Sequence, residues 1–176
     1  MKNRIEHEAS KLLHDLGMMS VPVSVKRIIK EQNIKLSSFD LGQDISGVLV
    51  IEKGKAKIGY NPSESSVRQR FTLAHELGHY ILHREENENK LFVDDNKVMF
   101  RRKNLSQKEL KQEREANSFA AALLMPEELI LIEFEKLNED DDFISDEKII
   151  KKLAFKFMVS EIAMTYRLMN LNVLTH

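Results

Sequence analysis

His75, Glu76 and His79 stand in the run Phe71-Thr-Leu-Ala-His-Glu-Leu-Gly-His-Tyr-Ile-Leu-His83, an H-E-x-x-H pattern inside a helix-forming segment. On an α-helix, residues four apart lie one turn above each other on one face, so two imidazoles at this spacing can grip one metal ion. The glutamate beside the first histidine can then reach a water activated by that metal and act as general base. Zinc (Zn2+) is the expected metal.

The five-letter pattern is weak by itself, because two core histidines bonded to backbone carbonyls would read the same way. Its flanks discriminate. Phe71, Ala74, Gly78 and Leu82 align with the histidines at steps of three and four, which turns the imidazoles toward the core and away from a polar face. Gly78 is a mid-helix glycine, which costs about 1 kcal/mol relative to alanine, so its presence predicts close approach of another segment there.

A catalytic zinc needs a third protein ligand, with the fourth place left open. A histidine ten positions after His75 would serve, but that residue is Glu85. A glutamate from a later helix is the other solution. The stretch Glu113-Arg-Glu115-Ala-Asn117-Ser-Phe-Ala-Ala-Ala-Leu-Leu-Met-Pro126 offers two. At about 100° per residue, the apolar stripe Ala116, Phe119, Ala120, Leu123 and Leu124 centres about 60° from Glu113 and about 100° from Glu115. Glu113 is therefore the ligand of choice, and Glu115 is expected to face solvent, where its loss would change little. Asn117, one turn beyond Glu113, is placed to hydrogen-bond a ligand histidine and fix its tautomer.

His83 adds a further turn to the ladder, but three histidines along one straight helix cannot all reach one ion, so it reads as a packing residue. Tyr60 is weighed as an oxyanion donor and read as packing. Arg101 and Arg102 are candidates for substrate carboxylates, with simple solvation as the equal alternative.

The elements that must position these residues follow from pattern. Ile5, Ala9, Leu12, Leu13 and Leu16 give an amphipathic first helix broken at Gly17. Pro22 suits an early position of a second short helix ending near Gln32. Residues 34–39 alternate weakly as a strand, and 45–52 and 56–60 read as two strands joined at Lys53-Gly54-Lys55. Ser66 or Ser63 caps the H-E-x-x-H helix. Residues 91–103 form a connection with one or two short strands. Ser106, with Glu109 in a capping box, opens a helix through Leu124. Pro126 starts another to about Leu137. The run Asn138–Asp142 is an acidic hinge, and helices follow over 146–157 and 160–170. The order predicts an α+β fold: a small antiparallel sheet packed on a helical zincin-like core, followed by a C-terminal helical hairpin. Residues 1–137 form the metallopeptidase domain and 138–176 a helix-turn-helix-like subdomain.

The pair FTLAHELGHYILH and EREANSFAAALLMP resembles the ImmA/IrrE family of metallopeptidases, with likeness extending to Phe100–Arg102 and to Val159–Leu168, over roughly residues 45–170. The resemblance implies a gluzincin-like zinc endopeptidase with His75, His79 and Glu113 as metal ligands and Glu76 as base. It also implies the partner: a helix-turn-helix transcriptional repressor encoded nearby, cleaved to relieve repression in a phage, mobile element or stress regulon. The alternative is a non-catalytic antirepressor or toxin–antitoxin partner that binds the repressor. Glu76 speaks against it, since a purely structural zinc site needs no base.

Composition bounds the rest. A chain of 176 residues, 42% hydrophobic and 31% charged, is the size and mixture of a water-soluble domain with one core. A net charge of −1 gives no global attraction to nucleic acid or membrane. Direct nucleic-acid binding is not expected, because the would-be recognition helix carries only Arg167 as a basic reader. The absence of cysteine excludes thiolate ligands, and with an N-terminus unlike a signal peptide it points to the cytoplasm. No apolar run is long enough to span a bilayer.

Overall fold

The computed structural model describes residues 2–84, 89–95, 106–140 and 145–174. Helix α1 (Lys2–Asp15) buries Ile5, Ala9 and Leu13, the stripe its sequence foretells. It stops at Gly17, whose φ of +61° lies in the left-handed region that costs glycine least. Helix α2 (Val25–Glu31) begins three residues after Pro22, which lies before the helix in a cis Val21–Pro22 peptide and not in its first turn as expected.

Four strands form one sheet in the order β1-β3-β2-β4: β1 (Lys35–Ser38), β2 (Ile45–Glu52), β3 (Lys55–Tyr60) and β4 (Asn89–Asp95). Strands β2 and β3 are joined by Lys53-Gly54, both with positive φ. A two-residue turn of that kind matches the twist of a hairpin. The sheet is mixed where an antiparallel one was expected. Strand β1 pairs in parallel with β3, because the chain after β1 reverses past the end of β3 before β2 begins, and the hairpin then lays β3 between them. The antiparallel β2–β4 ladder carries a bulge between Ile45 and Gly47, which leaves Ser46 out of register.

Helix α3 (Ser66–His83) carries the H-E-x-x-H pattern, and Ser65, not Ser66 or Ser63, caps it by accepting from the Arg68 N–H. Helix α4 (Gln107–Leu124) opens with the Ser106–Glu109 capping box. Helices α5 (Glu127–Asp140), α6 (Asp146–Phe157) and α7 (Glu161–Asn170) complete the chain. The α+β class is the one expected. No helix among the described residues is long and apolar enough to cross a membrane.

One cluster of buried side chains runs through every helix and through strands β2, β3 and β4: Leu13, Ile28, Leu49, Ile58, Leu73, Leu77, Phe92, Phe119, Leu123, Ile130, Leu153, Phe157 and Leu168 belong to it. Two polar ties bind the C-terminal hairpin to this core. Arg167 of α7, only 5% exposed, ion-pairs with Glu6 of α1 and donates from Nε to the Met125 carbonyl at 2.8 Å. It is committed inside the fold and does not project as a nucleic-acid reader. Arg70 of α3 donates to the carbonyls of Val23 (3.0 Å), Met158 (3.3 Å) and Phe157 (3.4 Å).

Helices α3 and α4 meet most closely at Gly78. A Cβ there would lie 3.1 Å from the Ala116 carbonyl oxygen, 3.2 Å from Ala116 Cα and 3.1 Å from Phe119 Cδ1. Two of those three atoms are backbone and cannot rotate away. Replacing Gly78 by valine is expected to force the helices apart and lower stability by roughly 2–3 kcal/mol, as overpacking does. Thermal unfolding should show the midpoint falling by about 5–10 °C, despite the better intrinsic helix preference of valine.

Candidate metal centre

His75 and His79 point from consecutive turns of α3 into the seam with α4, at 2% and 1% exposure. Their Nε2 atoms are 3.1 Å apart. Glu113, in the second turn of α4, brings Oε2 to 3.4 Å from His75 Nε2 and Oε1 to 3.3 Å from His79 Nε2. The edge of a tetrahedron of N and O ligands about 2.0–2.1 Å from zinc is about 3.3–3.4 Å. Each imidazole nitrogen thus stands about that far from the other and from one Glu113 oxygen, and one ligand atom from each of the three residues lies within 4.8 Å of the others. Glu85 and the pair Arg101 and Arg102 lie outside the described residues.

The hydrogen bonding around the triangle leaves lone pairs facing inward. His75 Nδ1 donates to Asn117 Oδ1 at 3.0 Å, the role read for Asn117 from its place one turn beyond Glu113. In the neutral ring this fixes the proton on Nδ1 and leaves Nε2 as an acceptor. His79 is oriented by packing: its ring stacks on Phe92 of β4 with centroids 4.4 Å apart. Among the described residues its Nδ1 has no hydrogen-bond partner. Two imidazole nitrogens and a carboxylate thus converge on one place, an arrangement able to hold a cation between them. The donor set suits a metal ion of zinc's type.

Burial sets the charge states. Desolvation lowers His79 to about 4, with the neighbouring His75 and His83 acting in the same sense and Glu113 opposing. Burial alone would raise the Glu113 carboxyl, but the close approach of His75 and His79 outweighs it and holds the group well below the ordinary carboxylate range.

Glu76 is fully buried beside His75 and packs against strand β2 at its bulge. A Cβ on Gly47 would lie 2.3 Å from Thr72 Cγ2 and 3.4 Å from Glu76 Oε1, so a side chain there would have to displace the Thr72 methyl, and glycine lets the strand lie against this part of α3. Next to Gly47, the out-of-register Ser46 donates to Glu64 (2.7 Å) and accepts from Arg68 (3.0 and 3.2 Å). Gly47, Thr72 and Phe92 escaped the sequence reading, because nothing in β2 or β4 marks which residue will face helix α3.

Glu115 is where the sequence reading fails. It is 4% exposed, with Oε2 at 3.7 Å from His83 Nε2 and Oε1 at 3.5 Å from Arg4 Nη2. Helix α4 packs on α3 along one side and on α1 along another, so its buried arc is wider than its apolar stripe. Glu113, at 32% side-chain exposure, is the more open of the two because it borders the metal centre. His83 is accordingly not a third rung of the ligand ladder but the partner of Glu115. Tyr60 accepts from Lys26 Nζ at 3.3 Å, beneath the same ammonium.

Paired histidines one turn apart on one helix, a glutamate from the next helix and a buried glutamate beside the first histidine define the donor arrangement of an H-E-x-x-H metallopeptidase with a glutamate as third ligand. The chain belongs to the peptidase family described as the IrrE N-terminal-like domain, whose model matches residues 29–169. It is similar to Metallopeptidase ImmA of Bacillus subtilis (strain 168), with 29% identity over 126 residues. That match covers 72% of this chain and 66% of the relative, so the chain spans just under two thirds of that relative's length.

Removing the Glu113 carboxylate by an alanine substitution should lose bound metal, measured by elemental analysis of protein purified without chelator. Glu115→Ala should retain metal but lower stability by roughly 1–3 kcal/mol, the range for a disruptive core substitution, since it removes a buried carboxylate set between His83 and Arg4; unchanged stability would contradict the burial described above. A second expectation concerns pH in metal-stripped protein. His79 titrates at about 4 in the fold against 6.5 for the free group. Its lowered value favours the neutral form, so its stabilising contribution is complete above 6.5 and is lost as pH falls toward 4. The thermal midpoint should decline across that window, and His79→Gln should flatten the decline.

Proposed function

We propose that this protein is a zinc-dependent endopeptidase that cleaves a partner helix-turn-helix transcriptional repressor in the cytoplasm. The observation that carries the hydrolytic part of this reading is the convergence of His75, His79 and Glu113 at metal-ligand spacing with Glu76 buried beside them. A purely structural site would fill all four places with protein ligands and would not set a carboxylate next to the first one. The repressor as substrate is drawn from the family resemblance. The relative's name supports the metallopeptidase part alone.

Zinc held by His75, His79 and Glu113 would supply Lewis acidity to the scissile carbonyl and to the attacking water. The chain's own groups do the rest. Asn117 keeps the His75 proton on Nδ1 and so keeps Nε2 facing the centre. Phe92 covers His79 and helps exclude water from that side. Glu76 takes the proton from the attacking water and passes it to the leaving amine. Its place in the fold, buried beside His75 and against strand β2, holds it next to the three donors.

Glu76→Gln leaves the three ligands in place and removes the base. The variant should bind metal as the wild type does, while cleavage of the co-expressed repressor falls by two to four orders of magnitude, the usual range for loss of a general base. Fragment mapping by mass spectrometry reads the outcome. Full derepression by this variant, with the repressor intact, would favour the non-catalytic antirepressor.

A further inference from the structure

Helices α6 and α7 are joined by a tight turn in which Met158 takes the left-handed conformation (φ 55°, ψ 51°). Around this turn the chain leaves large apolar side chains in water: Phe155 is 87% exposed, Ile162 71% and Tyr166 64%, with Met158 and Met169 more than a third exposed. The inner faces of the same two helices are fully engaged, through Ile149, Leu153, Phe157, Met164 and Leu168. The exposed set is therefore a second, outward apolar face. On α7, Ile162, Tyr166 and Met169 are spaced four and three apart and form one stripe.

The polar groups around that face are of one sign. At about 100° per residue, Lys148, Lys151 and Lys152 all project within about 60° of Phe155. All three are exposed, and none has an ion-pair partner among the described residues. Lys156, by contrast, is engaged with Glu133 of α5. The turn is also fixed relative to the candidate metal centre. Arg70, five residues before His75 on the same helix, donates to the carbonyls of Phe157 and Met158.

We propose that the α6–α7 hairpin is a docking surface for a protein partner that presents an acidic amphipathic helix. The partner's apolar side chains would lie across Phe155, Met158, Ile162 and Tyr166, and its carboxylates would meet Lys148, Lys151 and Lys152. Duplex DNA fits this surface poorly. The second helix, which would enter the groove, offers Glu161, Ile162, Tyr166 and Met169, while its arginine is sequestered with Glu6. Base readout needs donors that this stripe lacks. A symmetric pairing of two copies through the same face would set lysine against lysine. Docking here is independent of hydrolysis, so the proposal stands apart from the peptidase reading.

The test uses the full chain and a fluorescently labelled helical peptide of about five turns, built from leucine on one face and glutamate on the flanks. Comparison probes are the same peptide with lysine for glutamate, and a labelled duplex DNA. Anisotropy should show saturable binding of the acidic peptide, weakening as salt is raised. Phe155→Ser with Ile162→Ser should lower affinity at least about tenfold, as loss of anchor residues does. So should Lys151→Glu with Lys152→Glu, which leaves the apolar set intact. Both variants should keep the metal content and thermal midpoint of the wild type, because every altered side chain is exposed. Equal affinity of wild type and variants for the acidic peptide overturns the proposal. So does stronger binding of the basic peptide or of DNA, or self-association that the same substitutions abolish.

Discussion

The close approach of α3 and α4 at Gly78 is the contact on which the candidate centre depends. Gly78 lies between His75 and His79 on one helix and meets Ala116, which lies between Glu113 and Asn117 on the other. All three donors and the residue that sets the His75 tautomer are thus within about one turn of the tightest point of the interface. A side chain at that point would separate the helices, and the Glu113 carboxylate would withdraw from both imidazoles together. The glycine sacrifices helix propensity of about 1 kcal/mol in return for a spacing that no larger residue permits.

Electrostatics completes what packing begins. The imidazoles of His75, His79 and His83 and the carboxylates of Glu76, Glu113 and Glu115 are gathered in one region, an arrangement that burial would make unfavourable without compensation. Glu113 is compensated by the histidines it faces, His79 is driven toward its neutral form, and Glu115 is matched by His83 and Arg4. The last pairing ties α1 to the back of the centre, so the N-terminal helix helps hold α4 in register although it contributes no ligand. Strand β2 closes the other side, where Gly47 at the bulge admits Thr72 and Glu76.

The C-terminal hairpin shows how one motif can serve a different purpose from the one its pattern suggests. Its helix lengths and turn have the rhythm of a helix-turn-helix. Burial of Arg167 against Glu6 and Met125 instead makes α7 a clamp across the core, and the outward stripe is apolar. Arg70 joins the turn to the helix that carries the histidines, so hairpin and candidate centre share one framework.

Much of this was legible in the sequence, because the deciding signals are local. Helical spacing put His75 and His79 on one face, the Ser106–Glu109 box opened α4, and Gly78 announced a close approach. Glu113 was preferred to Glu115 by its angle to the apolar stripe and its one-turn spacing to Asn117, and the structure brings Glu113 to the histidines. The same angle misjudged Glu115, since a stripe locates one packed face and says nothing of a second neighbour such as α1. Other features also arose only from the tertiary fold. Strand β1 lies parallel to β3 because of how the chain passes the sheet's end, and Phe92 covers His79 through strand order. Arg167 points inward to a carboxylate 161 positions away in sequence. By itself the sequence determined which residues can do chemistry and on which helical face they lie. Only the packing of distant segments decided what each of them touches, because that depends on contacts with no fixed separation along the chain.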